Sequence, residues 1–344
     1  MIRKRSIRYL AGRACVAVGL IAASAPSEAS LGQGLQRPEA RSGLGFHAPK
    51  VALLLGVTPA DESPELPATS EQSVDCLRTL RLPWGPVETC RQAVITASLA
   101  GVGLIAYTKW WRKGFSRRWT TAHEGWFRRE TYAGGIDKLS HGYSLYVGTR
   151  LLTRALDWAG DSHDRSVRTA AIVGLGTALA VEMFDGLSKK AYGFSKEDLI
   201  SGALGVGLAV LMETRPALDR LVAFRMMYRS SVGPGRMPQP LDDYEHQVYL
   251  LAFRLSGISS LGPRNPLRFV ELVAGYGATG YHDDGGSPFE ARRRVLYLGV
   301  GIDLTKVAQR LFFPKGGGTA EAFTTETLRY LQPPGTVLWS KSTL

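Results

Sequence analysis

Between Gly135 and Gly207 the chain reads GIDKLSH (135–141), then EMFDG (182–186), then YGFSKED (192–198), with apolar sequence of helical pattern around these segments. An ionisable side chain in an apolar helix is costly unless it has a partner. The three polar segments therefore predict a shared centre, and we expect the surrounding helices to be organised around it.

Helical spacing brings the ionisable residues of these segments together. Asp137 and His141 are four residues apart, and Glu182 and Asp185 are three apart, so each pair shares a helix face. Asp198 lies near the start of the last helical run. Carboxylates and an imidazole that converge between helices bind divalent metal ions or carry out acid–base catalysis. These five residues are the candidate catalytic residues, and the sequence leaves the metal and any cofactor open.

Lys138 and Ser195 are the candidate substrate-binding residues, since an ammonium group can hold a phosphate or a carboxylate. The same residues also have structural explanations. Ser195 and Asp198 fit a capping box that starts a helix, and Asp137 beside Lys138 fits an ion pair at a helix start. His141 alternatively packs in a core without a chemical role.

Four runs in the region 91–215 have an apolar, helical pattern: Gln92–Trp111, Lys138–Trp158, Ser166–Met183 and Asp198–Met212. The first run ends at Tyr107, Trp110 and Trp111, as in an interfacial belt, and a strongly basic loop follows to Arg129. This pattern obeys the positive-inside rule and predicts a membrane-associated four-helix bundle. The alternative is a soluble or peripheral helical domain, because the runs fall short of the ~20 apolar residues of a spanning helix.

The N-terminal part of the chain predicts export. Residues 1–29 combine basic residues, a short apolar run and small residues, as in a cleaved signal peptide. Residues 30–90 are mostly rich in Gly, Pro and Ser and predict a linker. Cys76 and Cys90 remain after cleavage, and two cysteines in an exported segment predict a disulfide, with two unpaired thiols as the alternative.

Residues 216–344 differ in character and predict a β-rich region. The predicted strands are Asp243–Leu255, Leu267–Tyr281, Val295–Leu304 and Thr336–Ser340. In the third of them Leu296 and Leu298 share one face, while Tyr297 and Gly299 share the other. The predicted fold class is therefore α+β, a membrane-associated four-helix bundle followed by a small antiparallel β-sheet on the periplasmic side.

The three polar segments, in this order, resemble the YfiM-like family of predicted bacterial envelope proteins and, more weakly, the VanZ-like membrane proteins. The resemblance extends through Gly275–Ala278 and the strand Tyr297–Leu304. One departure is Gly202, where that family often has Asn, and this removes one polar member from any shared site. The resemblance implies an exported envelope protein and implies no particular reaction.

Charge narrows the choice of partners. The net charge of +12 is concentrated in the basic loop, which favours membrane lipid, and the sequence has no nucleic-acid-binding motif. We predict an inner-membrane protein with a periplasmic C-terminal domain, or alternatively a periplasmic or outer-membrane-associated protein. The predicted function is a non-enzymatic component that engages lipid or cell-wall precursors. The alternative is a metal- or acid–base-dependent hydrolase or transferase acting on lipid phosphate.

Overall fold

The computed structural model of the chain describes residues 80–82, 85–87, 90–189, 192–229, 240–281 and 289–344. The predicted signal peptide (1–29) and most of the predicted linker lie outside these residues. Cys90 is disulfide-bonded, while its predicted partner Cys76 lies outside the described residues. Two short strands, β1 (Leu80–Leu82) and β2 (Gly85–Val87), pair antiparallel, so the predicted linker has ordered structure near its end.

Seven α-helices occur in the described part of the chain: α1 (Cys90–Ala106), α2 (Ile136–Trp158), α3 (His163–Leu187), α4 (Lys196–Thr214), α5 (Pro216–Leu221), α6 (Leu304–Leu311) and α7 (Gly318–Tyr330). The further strands are β3 (Thr121–Ala122), β4 (Phe194–Ser195), β5 (Val222–Tyr228), β6 (Gln247–Arg254), β7 (Val270–Thr279), β8 (Arg293–Ile302) and β9 (Val337–Thr343). Strands β5 to β9 form an antiparallel meander in chain order, and β3 pairs parallel with β4. The predicted mixture of helices and an antiparallel sheet is confirmed, and the structure adds β5, α6 and α7 to it.

Helices α2, α3 and α4 pack on one another, with α2 and α4 parallel and α3 antiparallel to both. Lys138 pairs with Asp198 at one end of α2 and α4 (2.7 Å), and Arg150 pairs with Glu213 at the other (2.6 Å). The C-terminal end of α3 lies at the first of these ends, where Glu182 accepts a backbone N–H that precedes α4.

Helix α1 runs alongside α3 in the same direction. Arg91 pairs with Asp161 just before α3 (2.9 Å), and the Trp111 indole donates to Asp185 near the end of α3 (2.7 Å). Between these contacts α1 continues as a π-helical segment, Tyr107–Trp111. The C-terminal ends of α1 and α3 and the N-terminal ends of α2 and α4 therefore meet, and we call this end of the molecule the site end.

Glycines let α2 and α4 approach each other closely. A Cβ at Gly205 would lie 1.9 Å from the carbonyl oxygen of Gly142, and a Cβ at Gly202 would lie 3.3 Å from the Ala178 methyl group of α3. Small residues at helix contacts permit such close packing. Because the two backbones touch, the first turns of α2 and α4 bring their polar side chains into contact.

The sheet lies alongside α2. Tyr249 and Tyr281 join Ile136 and Tyr146 of α2 in one buried hydrophobic cluster. The helical region and the β-rich region therefore share a core, and the predicted periplasmic placement of the sheet stays a prediction.

The buried face of the sheet contains charged residues, whereas the open face is apolar, which is the reverse of the usual arrangement. One face is buried and includes the ion pair between Arg225 and Glu271 (2.8 Å). The exposed part of the opposite face is apolar, with Leu251, Phe253, Leu272, Leu298, Val300 and Leu338. The alternation predicted for β8 is confirmed, because Leu296 and Leu298 are exposed while Tyr297 is buried. A soluble sheet normally places its aliphatic face inward.

Two helical segments, Cys90–Trp111 and His163–Leu187, are long and apolar enough to cross a membrane, by length and composition alone. Only 6% of the apolar window is buried in the first segment and 28% in the second. Among the described residues α2 and α4 do not meet this criterion, so the predicted four-helix membrane bundle is not confirmed as a whole. Helix α2 contains charged residues such as Lys138 and Arg150, which lower its mean hydropathy and are buried against its neighbours.

Candidate functional site at the meeting point of four helix ends

A turn that contains two glycines precedes α2 and positions Asp137 and Lys138. Gly134 and Gly135 have positive φ angles of 61° and 88°, and a Cβ at Gly135 would come 2.6 Å from the Phe127 ring. Both positions favour glycine because L side chains seldom adopt this conformation. The turn starts α2 so that Asp137 and Lys138 lie in its first turn, next to α4.

Lys138 is the centre of one half of the cluster. Its ammonium lies 2.5 Å from Asp137 Oδ2 and 2.7 Å from Asp198 Oδ1, and it donates to Glu124 Oε2. We call these four residues the lysine set. Lys138 is 2% exposed, and a charge at that depth requires partners. Burial alone would lower the pKa of Lys138, but the surrounding carboxylates raise it above its usual value.

The acids of the lysine set differ in their pKa values. Burial, followed by the charge of Asp198, raises the pKa of Glu124 to about 9. Burial also raises the pKa of Asp137. For Asp198 burial acts in the same direction, but His141 and Lys138 outweigh it and lower its pKa. Glu124 and Asp137 are therefore harder to ionise than usual in this set, whereas Asp198 ionises more readily.

The other half of the cluster contains His141 and Glu182. The distance from His141 Nδ1 to Glu182 Oε1 is 3.7 Å, and Glu182 Oε2 accepts the Ser195 backbone N–H at 3.0 Å. Burial, with the charges of Asp198 and Asp185, raises the pKa of Glu182 to about 8. The His141 side chain is 28% exposed, so it connects the buried acids with the surroundings.

Asp198 joins the two halves. Together with His141 and Glu182 it offers ligand atoms that all lie within 4.8 Å of one another, and we call these three residues the histidine set. The acids of the lysine set meet the same limit, but the Lys138 ammonium contacts all of them. Asp185 lies beside the cluster, where it accepts the Trp111 indole N–H and burial raises its pKa.

Ser195 has a visible structural role. Its side chain accepts the Asp198 backbone N–H (3.3 Å) as the N-cap of α4. This is one half of the capping box that the sequence offered as an alternative. In place of the reciprocal bond of a capping box, the Ser195 backbone N–H donates to the Glu182 carboxylate. The substrate-binding roles of Ser195 and Lys138 stay predictions, and Lys138 would have to release a carboxylate in order to hold a substrate.

The predicted convergence of the polar segments is present in the structure. Asp137, His141, Glu182 and Asp198 meet at the site end, with Asp185 next to them. Sequence reasoning missed Glu124, which enters from the loop before α2. The signal that could have found it is its charge, because no other acidic residue occurs from Lys109 to Arg129.

The segment that joins α1 to α2 crosses the site end and exposes aromatic and basic side chains. The exposed aromatic residues are Phe115, Trp119, Trp126, Phe127 and Tyr132. The exposed bases are Arg112, Lys113, Arg117, Arg118 and Arg128. We call these residues the collar. Aromatic rings beside arginine and lysine are typical of protein surfaces at the membrane interface.

Residues 123–214 match the model of a family described as predicted periplasmic lipoprotein (DUF2279). The matched segment contains every residue of the lysine and histidine sets. The chain matches no curated protein and no solved structure. The finer resemblances to YfiM-like and VanZ-like proteins stay predictions. The family match supports a protein of the bacterial cell envelope.

Proposed function

We propose that this protein is a membrane-associated component of the cell envelope that engages the phosphate-bearing headgroups of membrane lipids or of lipid-linked cell-wall precursors. The collar is the observation that carries the proposal. It places exposed aromatic rings and bases at the same end of the molecule as the acidic cluster. Tryptophan and tyrosine favour the headgroup level of a bilayer, and basic side chains attract its anionic lipids.

The outer surfaces of the helices support a membrane as their neighbour. Leu104 of α1 is 64% exposed, Ile172 of α3 is 71% exposed and Leu204 of α4 is 66% exposed. Charged residues of the same group of helices, such as Lys138 and Glu182, are buried. Surface helices of soluble proteins show the reverse distribution. Lipid chains would give these exposed side chains apolar surroundings.

The bases of the collar set the preference for a phosphate headgroup. Within the described ranges, Arg112, Lys113, Arg117 and Arg118 form no ion pair with a carboxylate. Each base near an anionic membrane surface contributes about 1 kcal/mol of attraction. Phospholipids and lipid-linked precursors both combine phosphate with an apolar chain, so competition between them has to identify the ligand.

Flotation of the purified chain with lipid vesicles tests the proposal. We expect stronger binding to vesicles of phosphatidylcholine and phosphatidylglycerol than to phosphatidylcholine alone, and weaker binding as salt is added. The double substitution Arg117→Gln/Arg118→Gln should lower the affinity for anionic vesicles by ~10-fold or more, because it removes two of these attractions.

The matched control is Arg165→Gln/Arg168→Gln, which removes the same charge near the N-terminal end of α3, away from the site end. It should leave the affinity unchanged. Equal losses in the two double variants, or equal binding to neutral and anionic vesicles, would contradict the proposal. A polyprenyl diphosphate that displaces the protein from vesicles more effectively than phosphatidylglycerol would identify the precursor as the ligand.

The second candidate is a metal- or acid–base-dependent hydrolase or transferase acting on lipid phosphate. The observation that favours it is the partly exposed His141 at 3.7 Å from the buried Glu182, because imidazole and carboxylate groups are the usual general acids and bases. Phosphate release from phosphatidic acid vesicles should be lost in Glu182→Gln and in His141→Ala while vesicle binding is kept. No release by the unaltered protein, or full release by both variants, would exclude this candidate.

A further inference from the structure

We propose that His141, Glu182 and Asp198, the histidine set, bind one divalent first-row transition-metal ion. This site goes beyond the lipid engagement proposed above and does not depend on it. Its three donors come from three helices, α2, α3 and α4, whose ends meet at the site end. An ion held there would fix the relative positions of these helix ends.

The donor atoms already lie close to the arrangement that one ion requires. His141 Nδ1 and Glu182 Oε1 are 3.7 Å apart, and the widest separation in the set is within 4.8 Å. Bonds from such ions to imidazole nitrogen and carboxylate oxygen are ~2.0–2.2 Å long, so neighbouring donors of one tetrahedral ion lie roughly 3.3–3.6 Å apart. His141 and Glu182 are already near this separation, and the widest pair has to close by at most about 1 Å, which small side-chain rotations can provide.

Asp198 has coordination capacity left for an ion. It is 6% exposed, and its Oδ1 pairs with the Lys138 ammonium at 2.7 Å. A carboxylate has about four lone-pair sites on its two oxygens. Asp198 can therefore hold the ammonium and still offer a lone pair to an ion between it, His141 and Glu182.

Glu182 is oriented for the same role. One of its oxygens is held by the Ser195 backbone N–H at 3.0 Å, and the other faces His141. Outer hydrogen bonds of this kind fix the direction of metal-binding carboxylates and strengthen the site. Ser195 therefore has two contacts that shape the site, since its side chain also caps the helix that carries Asp198.

The neighbouring lysine set explains why we assign a single ion. Glu124, Asp137 and Asp198 are close enough together to hold a cation, but the ammonium of Lys138 contacts each of them. A second divalent ion there would have to displace a buried ammonium that three carboxylates stabilise. The shared Asp198 thus lies between an ammonium that belongs to the chain and the ion that we propose.

The donor types select the class of ion. One imidazole nitrogen and two carboxylates suit Mn²⁺, Fe²⁺, Co²⁺ or Zn²⁺. Calcium takes six to eight oxygen ligands and rarely uses imidazole. Three protein donors leave coordination positions for water or for a phosphate oxygen.

Titration of the tag-free full chain with Co²⁺, followed by visible absorption and by elemental analysis after desalting, tests the site. We expect one ion per chain and the absorption of a nitrogen- and oxygen-bound Co²⁺. His141→Ala and Glu182→Gln should each weaken binding by ~10-fold or more, because loss of even an outer partner costs 10–100-fold. His141 is partly exposed, so its removal is compatible with folding, and circular dichroism checks this.

The matched control is Glu124→Gln, which removes an acid of the lysine set and should keep one ion bound with similar affinity. Absence of bound Co²⁺, unchanged binding in both His141→Ala and Glu182→Gln, or equal loss in Glu124→Gln would overturn the site. A chain that floats with anionic vesicles but binds no Co²⁺ would overturn this inference alone. A chain that binds Co²⁺ but no vesicles would overturn the proposed function alone.

Discussion

Asp219 shows how single residues keep charge inside this protein. Its carboxylate accepts hydrogen bonds from Arg150 at 2.7 Å and from Arg329 at 2.5 Å. Burial by itself would raise the pKa of Asp219, but the two guanidinium groups outweigh it and lower the pKa to about 2. The carboxylate joins α5 to α2 and α7, so its ionisation is coupled to packing between the helices and the sheet region.

The depressed pKa gives a prediction with a defined sign. Because the folded-state pKa lies below the unfolded-state value of 3.8, ionised Asp219 stabilises the fold above about pH 4, and this contribution is lost as the pH falls towards about 2. Asp219→Asn should therefore lower the free energy of unfolding by about 2 kcal/mol at neutral pH. Urea unfolding of both proteins across this pH range measures the difference, which should shrink below about pH 4.

The control for Asp219 is Glu130→Gln, at an exposed acid whose contact with Arg128 is 3.9 Å long. Surface pairs of this kind contribute little, so we expect almost no difference at any pH. A difference between the unaltered protein and Asp219→Asn that stays constant from neutral pH to about pH 2 would contradict the assignment.

At the scale of elements, the contact between α2 and α4 depends on glycine. Gly205→Ala places a methyl group 1.9 Å from the Gly142 carbonyl oxygen, and two helix backbones have to separate to accept it. We expect a loss of about 1–3 kcal/mol in the free energy of unfolding, the usual cost of overpacking. The same separation should move Asp198 away from Lys138.

Gly207→Ala is the matched control, because it lies two residues along the same helix and a Cβ there meets nothing within 4 Å. Alanine favours helix over glycine by roughly 0.5–1 kcal/mol, so this variant should be as stable as the unaltered protein or more so. Thermal unfolding followed by circular dichroism compares the two. Equal destabilisation by both substitutions would mean that the close approach does not matter.

The helices around the site can be predicted from the sequence because their signals are local. The spacing of Asp137 and His141, and of Glu182 and Asp185, is enough to place each pair on one helix face. The role of Glu124 could not be predicted in this way, because no periodic pattern connects this loop residue with Lys138, which it contacts. Strand β5 and helix α7 escape it as well, since the stronger alternation of the β-rich region lies elsewhere along the chain.

At the scale of the whole molecule, both the helical region and the sheet region bury ion pairs while they expose apolar side chains. The buried ion pair of Arg225 and Glu271 lies within the sheet region, while Leu298 and Leu338 are 67% and 83% exposed. Alternation along a strand predicts that two faces differ, but it does not say which face is covered. That depends on contacts between distant parts of the chain, such as the packing of Tyr249 against α2.

Helix α2 presents one side to α4 and another, with Tyr143 and Tyr146, to the sheet region. Every member of the lysine and histidine sets lies between residues 124 and 198, whereas the five-stranded sheet begins only at Val222. All residues of the two sets are therefore synthesised before the first strand of that sheet, because translation proceeds from the N-terminus. Until β5, β6 and α7 follow, Tyr143 and Tyr146 lack the ring partners that these elements supply. A nascent chain at that stage contains every charged residue of the centre, while the neighbouring apolar side of α2 is still uncovered.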